Sequence, residues 1–312
     1  MIRDILRFNR DSPRILAETD NSETVGDYLR RMGYGASFAD RYLIPMGASI
    51  WSCPPGVFSK FPIRFIVEFY KNHGLLSVNH RPTWRTIVGG SREYVRRLIQ
   101  PFESSIRLST PVTKVVRTTD CVTLHGVEGS LGTFDHVVFA CHSDQALRLL
   151  DQPTPVEREV LGEFPYHVND VVLHTDTSVM PRRSKAWAAW NYHIATEDAA
   201  EATLTYDMNL LQNLRKQNRY LVTLNSTEKI DPGCVLGRYT YAHPVFTTRR
   251  STTQKRHGEL LGRNRSSFCG AYWGNGFHED GVKSALAVCD ALLGEEQECT
   301  VASTKAGFDT VA

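Results

Sequence analysis

The chain has 312 residues, of which 41% are hydrophobic and 22% are charged, and its 36 basic and 34 acidic residues leave a formal net charge of +2. This length and composition are typical of a globular protein with one large domain or two interleaved domains. The sequence contains no long run of like charges, which argues against nucleic acid as a partner. Charged residues interrupt the apolar runs at the N-terminus, so we predict no signal peptide, no transmembrane segment and a cytoplasmic location.

The seven cysteines are an odd number, lie far apart and include no C-x-x-C pair. This pattern favours reduced thiols over a disulfide framework, in agreement with a cytoplasmic location. Their spacing matches no set of metal ligands, so the sequence predicts no metal site.

The first 80 residues have a mostly helical pattern. Ser22 is placed to cap a helix whose apolar side carries Val25, Tyr28, Leu29 and Met32. A second apolar helix, FPIRFIVEFYKNHG, ends at Gly74, a residue type that commonly follows a helix. The aromatic residues of these helices are best explained as core residues.

The pattern changes at Thr86–Val88, a short apolar run that precedes Gly89 and Gly90. A helix then begins at Ser91. This order predicts a strand, a tight turn and a helix with an inward apolar face formed by Tyr94, Val95, Leu98 and Ile99.

Three strand-like runs follow, starting at Val112, Cys121 and Phe134 and separated by turn residues. They predict a small β-meander that ends in a buried strand. From residue 153 to about 250, a short helix and several alternating runs predict a second, mostly antiparallel sheet.

The C-terminal region combines a helix that ends at Gly262, the strand SSFCGAYW, a glycine loop and a last helix from about Glu279 to Leu293. Gly294 is expected to end this helix before a polar tail.

This strand, glycine loop and helix are the pattern most directly connected with ligand binding. Free N–H groups and the dipole at a helix start favour an anionic or carbonyl-rich cofactor. Three glycines would allow the backbone to approach a flat ring: Gly270, Gly274 and Gly276. Three aromatic residues would supply apolar faces: Tyr272, Trp273 and Phe277. A core strand, turn and helix have the same pattern, so cofactor binding and plain packing both stay open.

Four runs stand in a fixed order along the chain: TIVGGSREYVRRLI, STPVTKVV, FDHVVFACHSDQALRLL and FCGAYWGNGFHEDGVKSAL. Together they resemble the ordered blocks of flavin-containing amine oxidases and their phytoene-desaturase-like cousins. The stretch from about Asn21 to Leu293 is similar to a bacterial family of predicted NAD/FAD-binding oxidoreductases, through GASIWSCPP, YKNHGLL, RPTWRTIVGGSREYV, ACHSDQAL, WNYH, TYDMN, YAHPVF and CGAYWGNGFHEDGV.

The resemblance implies a mixed α/β fold with FAD as the cofactor. A partial FAD/NAD(P)-binding, Rossmann-like domain would be interleaved with a substrate domain of mostly antiparallel sheet plus helices. The predicted divisions are a helical substrate-side segment (1–82), the middle part of the FAD-binding domain (83–150), the substrate-domain sheet (151–254), the C-terminal part of the FAD-binding domain (255–295) and a polar tail (296–312).

The resemblance also implies which positions contact the cofactor. The backbone at Val112 would lie over the FAD adenine, and the strand that ends at Ala140 would lie beside the cofactor. The turn Phe277–Val282, which includes Gly281, would approach the flavin ring and the pyrophosphate with its amides.

Several side chains have two possible interpretations. Glu279 and Asp280 either contact the cofactor or act as helix-start acids that complement the dipole. His278 either donates to a flavin carbonyl or moves a proton, as the one catalytic candidate, or it is a surface histidine. Asn191 and Tyr192 are candidates for a substrate pocket, and strand alternation lets only one of these neighbours face it.

The chain departs from the family pattern at three points. It has no strand, G-x-G-x-x-G turn and helix to hold the pyrophosphate, because Gly33–Gly35 follows a charged helix instead of a strand. We therefore expect a truncated chain that lacks an N-terminal nucleotide-binding unit. The strand position where amine oxidases usually carry a lysine offers Asp170 or Val171, and the acidic residue expected after F-x-G is Ala271.

These features support three functional hypotheses. The first is an FAD-dependent oxidoreductase in which the flavin accepts a hydride from a C–H bond of an apolar or amine-bearing small molecule. The second is a lipid or fatty-acyl oxidoreductase or desaturase of the same fold. The third is a non-catalytic fragment, or a module completed in trans by a separate nucleotide-binding chain.

Overall fold

The computed structural model describes residues 1–18, 22–79, 83, 85–194 and 203–306, with side chains as far as residue 294. The chain forms two compact units that alternate along the sequence. Unit 1 contains Met1–Ile106 and Tyr166–Thr248, and unit 2 contains Arg107–Pro165 and Arg249–Ala312. The predicted mixed α/β fold class is confirmed.

Helices occur throughout the described chain: α1 (Ile2–Asp11), α2 (Val25–Arg31), α3 (Ala36–Phe38), α4 (Ile44–Trp51), α5 (Pro55–Phe58), α6 (Ile63–Asn72), α7 (Arg92–Ile99), α8 (Ser143–Leu149), α9 (Pro155–Gly162), α10 (Met208–Leu211), α11 (Arg250–Gln254) and α12 (His278–Ala306). The strands are β1 (Lys114–Arg117), β2 (Val122–Gly126), β3 (Gly129–Phe134), β4 (Val137–Phe139), β5 (Tyr166–His174), β6 (Trp190–His193), β7 (Thr203–Asp207), β8 (Leu221–Leu224), β9 (Val235–Pro244) and β10 (Ser266–Phe268). No helix in the described part of the chain is long and apolar enough to cross a membrane.

The core of unit 1 is an aromatic cluster formed by Phe8, Tyr28, Phe38, Trp51, Phe58, Phe61, Phe69, Tyr70 and Phe246. The Trp51 ring lies 4.9 Å from Phe69 and 6.1 Å from Phe58, measured between ring centroids. Gly47 permits this close packing, because a Cβ atom there would overlap the Phe58 ring. The expectation that the aromatic residues of these helices are core residues is confirmed.

The structure tests the predicted ends of two helices in unit 1. The side chain of Thr24 caps α2 by accepting a hydrogen bond from the Asp27 amide at 3.1 Å, so the predicted cap, Ser22, is wrong. Gly74 follows α6, and the amide of Leu75 donates back to the Tyr70 carbonyl at 2.8 Å. The predicted end of that helix is therefore confirmed.

The segment before α7 departs from the prediction. Thr86–Val88 forms no strand, and Val88 is 92% exposed. A strand needs a neighbour to bond its backbone, and no described strand pairs with this run. α7 forms where it was predicted, but Val95 and Leu98 of its predicted inward face are exposed.

Unit 1 also contains a five-stranded sheet in the order β6-β7-β8-β5-β9, in which every pair is antiparallel. This confirms the predicted second sheet. The register places Asn191 opposite Thr205, and Thr205 opposite Thr223, so three polar side chains lie in one row across the sheet. Tyr192, between Asn191 and His193, points to the other face and packs against the aromatic cluster.

Unit 2 contains the predicted meander, but the third strand differs. β1, β2 and β3 form the antiparallel meander, and β3 lies in Gly129–Phe134. The apolar run after Phe134 instead forms β4, which pairs in parallel with β10. The run was assigned to the wrong sheet because its apolar pattern fits either pairing.

The boundaries between the two units lie after residues 106, 165 and 248. α9 belongs to unit 2, where its buried Glu157 pairs with Arg117 of β1 at 2.5 Å. Arg117 also donates to the Ser266 hydroxyl of β10 at 2.7 Å. Burial acts to raise the pKa of Glu157, but Arg117 and the Thr154 amide outweigh that effect, and the pKa is lowered.

α12 begins at His278 and continues to Ala306, so the predicted end at Gly294 is wrong. The cost of a helical glycine, about 1 kcal/mol, is offset here by the good helix formers that flank it. Residues 296–306 of the predicted tail lie in this helix, and residues 307–312 lie outside the described chain.

Candidate functional site

In unit 2, β10 leads into a segment that we call the glycine turn, Gly270–Phe277, which precedes α12. The amides of Gly274 and Gly276 both donate to the Ala271 carbonyl, at 3.0 and 3.1 Å. A Cβ atom at Gly274 would overlap the Asp280 carboxylate. Gly276 has a φ of +93°, which strains residues with a side chain. The turn therefore requires glycine at these two positions.

Two residues of α11 hold the glycine turn in place. The Arg250 guanidinium donates to the Gly274 carbonyl and, at 3.1 Å, to the Asn275 side chain. The Gln254 amide donates to the carbonyls of Tyr272 and Gly274, at 2.7 and 2.8 Å. Sequence reasoning missed both residues, although their i, i+4 spacing places them on one face of a helix.

The backbone amides near the start of α12 are partly occupied. The Phe277 amide donates to the Asp280 carboxylate at 3.0 Å, and the Gly281 amide donates to the Phe277 carbonyl at 3.2 Å. In contrast, the amides of Asn275 and Glu279 have no acceptor among the described residues. A ligand at this turn would therefore meet the open amides of Asn275 and Glu279.

The acidic residues of this helix start each contact a nearby group of α12 or the glycine turn. Asp280 accepts the Phe277 amide, as a helix-start acid does. The Glu279 side chain is exposed and lies 3.6 Å from Lys283. Val282 is exposed in the next turn, and its side chain belongs to the outer face of α12.

The aromatic residues of the glycine turn differ in their accessibility. Trp273 is buried: its ring stacks on His257 at 4.1 Å, and its indole N–H donates to the Phe268 carbonyl. Burial lowers the pKa of His257, so this ring is neutral near pH 7. Phe277 is 39% exposed.

The remaining predicted positions in unit 2 are divided between its two sheets. Ala140 and Gly270 come just after β4 and β10, which are parallel neighbours, so both lie at the carboxyl edge of that pair. Val112 lies in the segment before β1 of the meander, half-buried. His278 is exposed in the first turn of α12. The structure thus brings Ala140, Gly270 and the glycine turn together.

Unit 1 contains a cavity of about 470 Å³, which we call the sheet cavity, next to the polar row on its sheet. It is lined by Ser178, Val179, Met180, Pro181, Arg182, Asn191, Tyr192, His193, Thr203, Thr205, Thr223, Ser226 and Lys229. Both predicted pocket residues border it, but the Asn191 amide is occupied by the Ala188 and Thr205 backbone. Near the position of the family lysine, Asp170 is exposed and Val171 is buried.

Three buried side chains form a hydrogen-bonded chain at the sheet cavity. The Asp176 amide donates to Nδ1 of His174 at 3.1 Å, so Nε2 carries the proton of the neutral ring and donates to the Thr223 hydroxyl at 2.8 Å. Burial lowers the pKa of His174 despite the nearby Asp176 carboxylate, which favours the neutral ring. The Thr223 and Thr205 hydroxyls lie 2.8 Å apart.

No group of three or more His, Cys, Asp or Glu in the described part of the chain is placed to hold a metal ion.

Comparison with known proteins gives information about the family. Among curated proteins, none matches this sequence significantly. The sequence model of the flavin containing amine oxidoreductases matches residues 17–231.

Several solved structures share the fold. Putrescine oxidase bound to putrescine has a TM-score of 0.58 at 12% identity, over 93% of this chain and 74% of that one. Cyclohexylamine oxidase from Brevibacterium oxydans IH-35A has a TM-score of 0.57 at 13% identity, over 93% and 74%. A CLA-producing fatty acid isomerase from P. acnes has a TM-score of 0.56 at 13% identity, over 85% and 65%.

At these identities the solved structures support the fold alone. The family match covers well over half of the chain. The chain therefore belongs to the flavin-containing amine oxidoreductases and is a flavin-dependent oxidoreductase.

Proposed function

We propose that the chain binds FAD at the carboxyl edge of β4 and β10 and oxidises a small amine or apolar substrate. The observation that carries this proposal is the glycine turn. Arg250 and Gln254 fix it, and the amides of Asn275 and Glu279 are left open beside a helix start. Open amides at such a position favour an anionic or carbonyl-rich ligand.

The residues at this edge fit a flavin nucleotide. Gly276 is exposed and has a positive φ, so the backbone of the turn is accessible at this position, and the partly exposed Phe277 beside it suits a flat ring. Ala140 and Gly270 would border the cofactor, and the Val112 backbone is the proposed contact for the adenine. FAD, when bound, supplies the redox chemistry by accepting a hydride from a substrate C–H bond.

The protein's own contribution is to hold the cofactor and position the substrate. His278 is the proposed residue for moving a proton, because it is exposed next to the glycine turn. The sheet cavity of unit 1 is the proposed substrate pocket, since its volume lies within the range of small-molecule sites.

FAD titration tests the proposed cofactor site. Because the sequence contains no G-x-G-x-x-G unit, we expect well under one FAD per purified chain, with occupancy rising when FAD is added. Flavin fluorescence measures binding, and reduction of the bound flavin by cyclohexylamine under anaerobic conditions measures oxidation. Failure to bind FAD at millimolar concentration would contradict the proposal.

A pair of glycine variants locates the site. Gly276→Val should lower FAD affinity by about tenfold or more, because its side chain would disturb the turn and occupy the space of the ligand. Gly33→Val is the matched control, because Gly33 also has a positive φ, +62°, and has open space around it, but it lies in unit 1. Equal FAD affinity in both variants would show that the glycine turn is a packing element.

A module completed in trans is the second candidate function. Val138 of β4 is 44% exposed, and Leu286 and Leu293 of α12 are exposed as well. Apolar surface of this kind is typical of a face that another protein covers. A nucleotide-binding protein that raises FAD affinity on mixing, with formation of a complex in analytical ultracentrifugation, would support this candidate.

A further inference from the structure

The sheet cavity has polar side chains at its floor, and most of their hydrogen bonds are made within the protein. Thr205 and Thr223 are only 4% and 1% exposed, so they form its buried floor. The Asn191 amide is fully used by backbone groups, with its oxygen accepting from Ala188. The Thr203 hydroxyl donates to the Asn225 carbonyl.

The side chains at the floor of the cavity have one more hydrogen-bond donor proton than the hydrogen bonds among them use. His174, Thr223 and Thr205 contribute one N–H and two O–H protons, and they share two contacts, from His174 to Thr223 and between the two hydroxyls. Whichever threonine donates to the other, one hydroxyl proton has no acceptor among the described residues. A buried donor of this kind favours a ligand with an acceptor atom.

Two cations line the same cavity. Arg182 and Lys229 are both exposed, and neither forms an ion pair with any described residue. The described lining includes no Asp or Glu side chain. A ligand group that enters between the cations and the hydroxyl floor therefore meets positive charge and a donor proton, which complement a carboxylate.

We propose that the sheet cavity binds the carboxylate group of a small organic acid, and that the amine or apolar substrate of the proposed function therefore also bears a carboxylate. The inference about the substrate rests on the proposed oxidoreductase function, whereas the binding site itself stands on unit 1 alone. Val179, Met180 and Pro181 give the same cavity an apolar wall for the organic part of the ligand. Lys229 and Arg182 attract the anion, and the threonine hydroxyl orients it.

The test compares hexanoate with hexanamide, which has nearly the same size and no charge. Both are titrated into the purified chain without added flavin, and binding is measured by calorimetry at low salt. Hexanoate is expected to bind about tenfold more tightly than hexanamide, because charge-assisted hydrogen bonds are stronger than neutral ones. In the double variant Arg182→Gln/Lys229→Gln this preference should disappear.

Lys216→Gln is the matched control, because Lys216 is exposed in unit 1 and does not line the cavity. It should leave the preference for hexanoate unchanged. Equal binding of the two ligands, no binding of either, or a preference that survives the double variant would each overturn the proposal.

FAD affinity is measured on the same samples. In the wild-type chain, equal binding of hexanoate and hexanamide together with FAD binding would overturn the carboxylate site alone. A retained preference without FAD binding would overturn the proposed oxidoreductase site and leave the carboxylate site standing.

Discussion

The aromatic cluster of unit 1 and the glycine turn of unit 2 are both rich in aromatic residues. They differ in whether rings and backbone amides are accessible to a ligand. In the aromatic cluster the rings pack against one another, and Trp51 contacts several of them. In the glycine turn, one ring is exposed at Phe277 and two backbone amides lack a described acceptor. Buried aromatic packing stabilises the fold, whereas the open backbone beside glycines is the feature on which the proposed binding site rests.

The glycine turn itself has a buried part and an exposed part. Trp273 stacks on His257 and is buried, so it resembles the aromatic cluster more than a ligand contact. Its neighbour Gly274 is fixed by Arg250 and Gln254. The buried part of the turn thus supports the exposed part.

The largest effect is expected from Trp51→Ala. Removing a fully packed indole from the aromatic cluster should lower the free energy of unfolding by about 3–5 kcal/mol. Trp190→Ala is the matched control, because Trp190 is 38% exposed. This variant should lower the free energy of unfolding by less than about 1.5 kcal/mol. Urea unfolding followed by circular dichroism gives both values, and similar losses in the two variants would contradict the assignment of the core.

Glu157→Gln should show that unit 2 depends on an ion pair where unit 1 depends on aromatic packing. Loss of the buried partner of Arg117 should cost about 3 kcal/mol at pH 7. The wild-type pair stabilises the fold above the ordinary glutamate pKa and loses this contribution as pH falls through the lowered pKa of the folded state. The midpoint temperature of thermal unfolding, measured across pH 3–7, should therefore depend less on pH in the variant than in the wild type.

Glu159→Gln is a suitable control for that measurement, because Glu159 lies on the same helix and pairs with Arg256 at the surface. A surface pair contributes little to stability. If Glu159→Gln destabilises the chain as much as Glu157→Gln does, the buried pair has no special role.

A smaller effect on stability, with a clear effect on binding, is expected from Gln254→Leu. The variant loses two hydrogen bonds to the glycine turn, so its free energy of unfolding should fall by about 1–2 kcal/mol. FAD affinity should fall by about tenfold, because the open amides of Asn275 and Glu279 would no longer be held in position. The matched control is Gln212→Leu, an amide on the other unit. Unchanged FAD affinity in Gln254→Leu would remove the turn's supporting role.

The sequence predicted the elements that have strong local patterns. α6 has a regular apolar face and is followed by Gly74, and β5 contains the apolar run Val171–Leu173, so both elements match the sequence prediction. β9 was missed, although it is the edge strand of the same sheet. Its exposed aromatic residues, Tyr239 and Tyr241, and its internal glycine obscure the alternation that marks a strand.

The parts of the site that could not be predicted depend on contacts far apart in the sequence. Arg250 is 24 residues from the carbonyl that it holds, and no local pattern connects them. Likewise, the open amides of Asn275 and Glu279 could not be distinguished from the occupied amide of Phe277 without the position of the Asp280 carboxylate. Glycine spacing predicted the turn, and three-dimensional geometry was needed to find its donors.

The smallest effect on stability is expected from His278→Ala, which tests whether the exposed part of the glycine turn takes part in chemistry. His278 is exposed in the first turn of α12, so its replacement should change the free energy of unfolding by less than about 0.5 kcal/mol. FAD affinity should also stay the same, because the open backbone amides remain. If the imidazole moves a proton, flavin reduction by an amine that also bears a carboxylate, such as 6-aminohexanoate, should slow by about 100-fold or more, and one limb of its pH–rate profile should disappear. His278→Gln keeps a hydrogen-bonding side chain but cannot move a proton, so it should be as slow as the alanine variant. Full activity in both variants would assign His278 to the surface and restrict the role of the turn to binding.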